Sequence, residues 1–280
     1  MSEFEHFVVL GSGRLGVFII QELVALKKQG KIKSVVVFTR SNDSHERILQ
    51  LGAKPVNVNY SNADQLVHAL KGVDCVVSTL ASNAVEFEKE VARACKVLEV
   101  KLFVHSEWGL PNVDHPGSRK GEVKKYLKEI KQPWAYFYTG VFIDLVFTPF
   151  AGFNWNEGKV SIGGSGNGQV SCTARTDIAR YVAYVLINLP VEELENKAFR
   201  IEGERTTFNA LFSAWESRTG RKLQITRTPR EELEKRASHD FHSRLYLAIE
   251  DGDGVVGRPE ETNLYWPEWT PKTVLQVVLD

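Results

Sequence analysis

Near the start of the chain, Gly11-Ser12-Gly13-Arg14-Leu15-Gly16 carries the pattern Gly-x-Gly-x-x-Gly. In such a turn the first glycine allows a sharp exit from a strand. The second lets backbone amides approach a diphosphate with no side chain in the way, and the third brings a following helix close to the sheet. The diphosphate then rests on N–H groups at the positive end of that helix. Glycine turns without a ligand are common, so context decides. Here the apolar run Phe7-Val8-Val9-Leu10 leads in, and Val17 to Gln29 leads out with Ile19, Ile20, Leu23, Val24 and Leu26 at helical spacing. That strand-turn-helix is the setting a dinucleotide needs.

The end of the next apolar run, Ser34 to Phe38, speaks to which dinucleotide. A fold that prefers NAD places an acid there for the ribose 2′-hydroxyl, whereas an arginine accommodates the 2′-phosphate of NADP. This chain has Thr39-Arg40-Ser41-Asn42, with no acid before Asp43, and Arg14 is a second cation within the glycine turn. Both arginines favour NADP(H). Ligands of parallel sheets lie beyond the carboxyl ends of the strands, which adds Leu80, Ala81 and Ser106 to Gly11, Ser12, Gly13, Arg14, Leu15, Gly16, Thr39, Arg40 and Ser41 as the cofactor-binding set.

Lys120 is also the candidate for proton transfer. It falls in the first turn of the helix expected over Arg119 to Ile130, where a cation opposes the helix dipole and is not there to stabilise the helix. The dipole favours the neutral amine, which suits a proton donor working near neutral pH. The segment Val141 to Phe150 is rich in aromatic residues, and Trp108, Phe142, Phe147 and Trp155 are expected to wall an apolar pocket. His239 and His242 stand three residues apart without a third ligand, and Asp251-Gly252-Asp253-Gly254 is too short for a calcium loop, so no metal is expected.

Strands and helices must hold these residues in place. Apolar runs at Phe7 to Leu10, Ser34 to Phe38, Pro55 to Asn59, Asp74 to Leu80, Lys101 to Ser106 and Trp134 to Thr139 alternate with helical stretches, including Asn62 to Leu70 and Val85 to Leu98. Strict alternation implies a parallel sheet with right-handed crossovers. Beyond residue 151 the texture becomes glycine-rich and hairpin-like, with Gly163 to Gly168 read as a turn and Thr176-Asp177 as the cap of a helix over Ile178 to Leu189. The expected fold is α/β, a Rossmann-type doubly wound parallel sheet over 1–150 with a smaller α+β substrate lobe over 151–280, some of whose segments return to the sheet.

Bulk properties exclude several classes. The chain has 280 residues, with 35 lysines and arginines against 35 aspartates and glutamates. No overall field draws it to nucleic acid or an anionic membrane. Its three cysteines, Cys75, Cys95 and Cys172, sit far apart in apolar segments, as expected of reduced thiols packed as small hydrophobes. With no secretion-type leader and no membrane-length apolar run, the expectation is a soluble, cytoplasmic protein, a monomer or homodimer, whose partner is a small hydrophobic molecule.

The order of these segments resembles the NmrA-like and isoflavone-reductase-like branch of atypical short-chain dehydrogenases. The resemblance runs through the glycine turn, Thr39-Arg40, Leu70 to Ser78, Ser106-Glu107-Trp108-Gly109, Lys120 ahead of Val123 to Leu127, Thr139 to Phe142, Thr176 to Ala179 and Ile201-Glu202-Gly203. It implies an NADP(H)-binding sheet, a C-terminal substrate lobe and a lysine at the place of Lys120 that acts as acid or base or holds the cofactor. Two departures stand out. The glycine turn is one residue tighter than the Gly-x-x-Gly-x-x-Gly usual in the family, and the Tyr-x-x-x-Lys pair of ordinary short-chain dehydrogenases occurs at no tyrosine. The leading expectation is an NADPH-dependent reductase of a small, hydrophobic, aromatic or secondary-metabolite substrate, transferring hydride to a C=O, C=C or C=N bond with Lys120 as proton donor or relay. The alternative is a non-catalytic NADP(H) sensor that regulates a partner, and a third reading is an isomerase or dehydratase that uses the cofactor transiently.

Overall fold

Apolar runs without alternation must be covered on both faces, and each such run becomes a strand of one sheet. The computed structural model describes residues 3–111 and 118–280; the polar loop expected after Pro111 lies outside the described residues. In chain order β1 (His6–Leu10), α1 (Gly16–Lys28), β2 (Ser34–Thr39), α2 (His45–Leu51), β3 (Lys54–Asn57), α3 (Ala63–Ala69), β4 (Cys75–Ser78), α4 (Glu88–Val97), β5 (Leu102–Val104), α5 (Arg119–Glu129) and β6 (Trp134–Tyr138) alternate as expected. The stretch expected as one helix from Val85 divides into a 3-10 turn, Val85–Phe87, and α4, a common way for a helix to begin.

The chain continues through β7 (Val141–Phe142), α6 (Ile143–Val146), β8 (Phe153–Asn154), β9 (Lys159–Gly163), β10 (Gln169–Thr173), α7 (Arg175–Asn188), α8 (Val191–Leu194) and β11 (Lys197–Arg200). It ends with β12 (Glu204–Thr207), α9 (Phe208–Thr219), β13 (Gln224–Thr228), α10 (Arg230–Arg236), α11 (Phe241–Glu250) and α12 (Val274–Leu279). Helix α7 starts one residue before Thr176-Asp177, and the buried Asp177 carboxylate accepts the Lys272 amide at 2.8 Å.

Seven strands form the main sheet in the order β11-β6-β5-β4-β1-β2-β3, and β1 to β6 are parallel. This is a Rossmann-type doubly wound sheet. Val8, Leu10, Val76 and Phe103 point to one face and pack with Leu66, Val91, Val123 and Leu127 of α3, α4 and α5. Each such buried side chain contributes about 1.5–3 kcal/mol. The chain divides into two compact units, the first made of Met1–Glu107, His115–Tyr136 and Ala179–Phe199, the second of Trp108–Asp114, Phe137–Ile178 and Arg200–Asp280.

Within the second unit are two three-stranded sheets, β12-β10-β7 and β13-β9-β8. The glycine-rich turn after β9 is held by Glu250, whose carboxylate accepts from Ser165 Oγ and the Gly166 amide, and by Arg227, which donates to the Ser165 carbonyl. The three cysteines are buried and unbonded to one another, and burial pushes their thiols up from the ordinary value. No helix among the described residues is long and apolar enough to cross a membrane.

Candidate active site

The glycine turn closes where β1 meets α1. Gly11 has φ +87°, a conformation that costs a side-chain-bearing residue strain. A Cβ on Gly16 would lie 2.5 Å from both the Gly11 carbonyl oxygen and Thr79 Oγ1, whereas one on Gly13 would meet nothing within 4 Å. The turn is thus tight where helix meets strand and open where a diphosphate would approach. Helix α1 has no side-chain cap and no acid in its first turn, so its positive end is left to an anion.

Beyond β2 and β3 a groove of about 550 Å³ is lined by Arg40, Asn57, Asn59, Tyr60, Gln65 and Phe87. Tyr60 stacks on Phe87, with centroids 5.5 Å apart and planes inclined by 27°. Burial pushes the Tyr60 hydroxyl up from its ordinary value against the pull of Arg40, and Glu88 adds to the rise. Arg40 and Ser41 are exposed, while Thr39 is buried with its hydroxyl 2.9 Å from His45 Nε2. A cation, amide side chains and a flat aromatic edge beyond the strand ends suit a phosphorylated nucleoside.

At the ends of β4 and β5, Ser106 Oγ donates to the Leu80 carbonyl at 2.8 Å, joining two residues assigned to the cofactor. Lys120 lies in the first turn of α5, which is capped by Ser118 accepting the Gly121 amide. Its ammonium donates to the Glu107 carbonyl at 2.9 Å and to Glu107 Oε1 at 3.3 Å, and Lys124 pairs with Oε2 of the same carboxylate. The Glu107 side chain is 1% exposed and that of Lys120 19%. The sequence reading weighed only the helix dipole acting on Lys120; a buried carboxylate beside the amine acts in the opposite sense. The amine is therefore held between the Glu107 carbonyl and carboxylate.

Trp108, Phe142, Phe147 and Trp155 belong to the second unit. Trp108, half-buried, stacks on Phe137 at 5.6 Å with the planes 7° apart, and its φ is +27°, a strained value for a bulky residue. Phe142 is also half-buried. Phe147 and Trp155 are buried within an aromatic cluster that includes Phe153, Phe208, Phe212 and Trp215, and the Trp155 indole donates to the Phe147 carbonyl at 2.9 Å. The same two residues border a groove of about 300 Å³ with Asp144, Thr148, Asn154 and Val277.

In the sequence Glu107 stands out only as part of the segment beyond β5, and Lys124, Thr79, Glu88 and His105 carry no expected role. Thr79 props the glycine turn, and Glu88 with His105 lies fully buried behind Ser106. A signal existed for the last two. His105 is a titratable residue ending the apolar run Leu102-Phe103-Val104, and Glu88 shares the apolar side of its helix with Val91 and Cys95.

The model of the NmrA-like family matches residues 6–251. The phenylcoumaran benzylic ether reductase POP1 of Populus trichocarpa is 29% identical over 275 residues, covering 90% of this chain and 87% of its own. The isoflavone reductase homolog P3 of Arabidopsis thaliana is 26% identical over 251 residues, covering 81% and 79%. Among solved structures, the leucoanthocyanidin reductase–NADPH complex from Vitis vinifera superposes with a TM-score of 0.79 at 19% identity, covering 97% of each chain.

Proposed function

The chain belongs to the NmrA-like family, and on that footing we propose that it is an NADPH-dependent reductase of a small, hydrophobic, aromatic substrate. One observation supports this above the others: the glycine turn, the Arg40 groove and the held Lys120 ammonium all stand at the carboxyl ends of β1, β2, β4 and β5 in a single unit. The relatives point the same way, being named for reductions of phenylcoumaran ethers, isoflavones and leucoanthocyanidins.

When bound, NADPH supplies a hydride to a polarised double bond of the substrate. The open face at Gly13 and the uncapped start of α1 receive the diphosphate, and Arg40 takes the 2′-phosphate at the rim of the groove. Leu80, Ala81 and Ser106 border the nicotinamide end. Lys120, kept in place by the Glu107 carbonyl and carboxylate, delivers the proton that completes addition across the C=O, C=C or C=N bond. We assign the substrate contacts to Trp108, Phe142, Phe147 and Trp155, the last two of which border the groove beside Asp144 and Thr148.

The test is NADPH oxidation by the purified protein across a panel of quinones, enones, imines and aromatic ketones, beside calorimetric titration with NADPH. Binding with turnover on an aromatic acceptor is expected. Binding without turnover on any acceptor overturns the reductase reading in favour of a sensor, and no binding overturns both.

A further inference from the structure

We propose that Glu88 and His105 form a buried positioning pair that fixes the Ser106–Glu107 segment and, through it, the Lys120 ammonium. The inference rests on the reading of Lys120 as proton donor. Both side chains are fully buried. His105 Nδ1 lies 2.5 Å from Glu88 Oε2, and Glu88 Oε1 accepts the Ser106 amide at 3.1 Å. The Glu107 amide turns back to the His105 carbonyl at 2.9 Å, and Lys120 donates to the Glu107 carbonyl. One carboxylate thus reaches the residues on either side of the point where β5 turns toward the lysine.

Burying a carboxylate is a poor way to gain stability, because desolvation offsets much of the attraction to its partner. It is an effective way to set geometry: two directed hydrogen bonds from one rigid group allow little displacement. The ring Nε2 of His105 has no partner among the described residues, so the pair's hydrogen bonds turn toward each other and toward Ser106. Glu88 also follows Phe87, the residue stacked on Tyr60 in the nucleotide groove. The same turn of chain therefore supports the groove and the proton donor.

Two variants of the full chain separate geometry from bulk. Glu88→Met keeps the length of the side chain and offers the Ser106 amide no acceptor of comparable strength, whereas Glu88→Gln keeps a carbonyl oxygen for it. Trace labelling with acetic anhydride, read lysine by lysine by mass spectrometry, reports how firmly each amine is held. In Glu88→Met, labelling of Lys120 and amide exchange across residues 102–108 are expected to rise about tenfold or more. The outward-facing Lys125 labels as before. Glu88→Gln is expected to stay within about threefold of the unmodified protein on every readout.

Equal behaviour of the two variants, an unchanged Lys120 in Glu88→Met, or all lysines rising together overturns the proposal. Should Glu88→Met not fold, the Ser106 amide of the unmodified protein decides: strong protection supports the pair, and exchange at the rate of an exposed amide overturns it. With an acceptor from the panel, kcat is expected to fall in Glu88→Met and to be kept in Glu88→Gln. If no acceptor is reduced by the unmodified protein, the reductase reading fails by itself, and the labelling result still decides the pair.

Discussion

The Thr79 hydroxyl lies 3.1 Å from the Gly11 carbonyl oxygen and 3.0 Å from that of Leu10, so the residue after β4 braces the turn that leaves β1. The same hydroxyl occupies the space that a Cβ on Gly16 would need. Gly16→Ala must displace backbone on one side or a braced side chain on the other. NADPH affinity is expected to fall at least about tenfold, as for the loss of about 1.4 kcal/mol. Thr79→Val removes the brace without the clash and is expected to cost about 1 kcal/mol of stability. Calorimetry and thermal denaturation check both, and a Gly16→Ala protein that binds like the parent removes the turn from the cofactor site.

Under the proposed function, Arg40 chooses between the two nicotinamide nucleotides from the rim of its groove. A charge-assisted contact to phosphate contributes about 1.5–3 kcal/mol, so Arg40→Ala is expected to weaken NADPH binding roughly tenfold to a hundredfold and leave NADH binding unchanged. An equal loss for both nucleotides means that this side chain does not read the 2′-phosphate.

Lys120→Ala is expected to lower kcat by about 10² to 10⁴, the usual loss when a positioned acid is removed. NADPH affinity should change little, because the proposed function gives the diphosphate to the glycine turn and the 2′-phosphate to Arg40. Steady-state NADPH oxidation with any acceptor that the parent reduces measures this. A variant that turns over at the parental rate frees Lys120 of its role.

Asp74 makes the fold sensitive to acid. Partial burial raises its carboxyl, but the amides of Glu5 and His6 and the Lys101 ammonium outweigh this and hold it below its ordinary value. A depressed folded-state value means that the stabilisation is complete above about pH 5, beyond the unfolded value near 3.9, and is lost as the pH falls through the folded value. Asp74→Asn is expected to destabilise by about 1–2 kcal/mol at pH 7. Denaturant titrations of both proteins should converge as the pH drops, and a pH-independent difference contradicts the assignment.

Elements whose residues are dictated locally were readable from the chain alone. The unalternating runs at β1, β2 and β4 can only be strands covered on both faces, and the glycines at 11, 13 and 16 announce the turn between β1 and α1. Long-range partners were not readable. Nothing around Lys120 signals that Glu107, thirteen positions earlier, stands against its ammonium. Nor does the spacing from 88 to 105 reveal a hydrogen-bonded pair, because the two meet only when α4 and β5 fold back on each other. Aromatic content likewise cannot distinguish a pocket wall from a core: Phe142 remains half-buried, while Phe147 and Trp155 pack into the cluster around Phe153.

Each unit is assembled from three separated stretches, and β11, an edge strand of the main sheet, comes from residues 197–200. A gene fragment stopping near position 150 encodes neither that strand nor α7. A piece of that kind would leave β6 as an unpaired edge of the main sheet, its row of backbone N–H and C=O groups open to pairing with another chain.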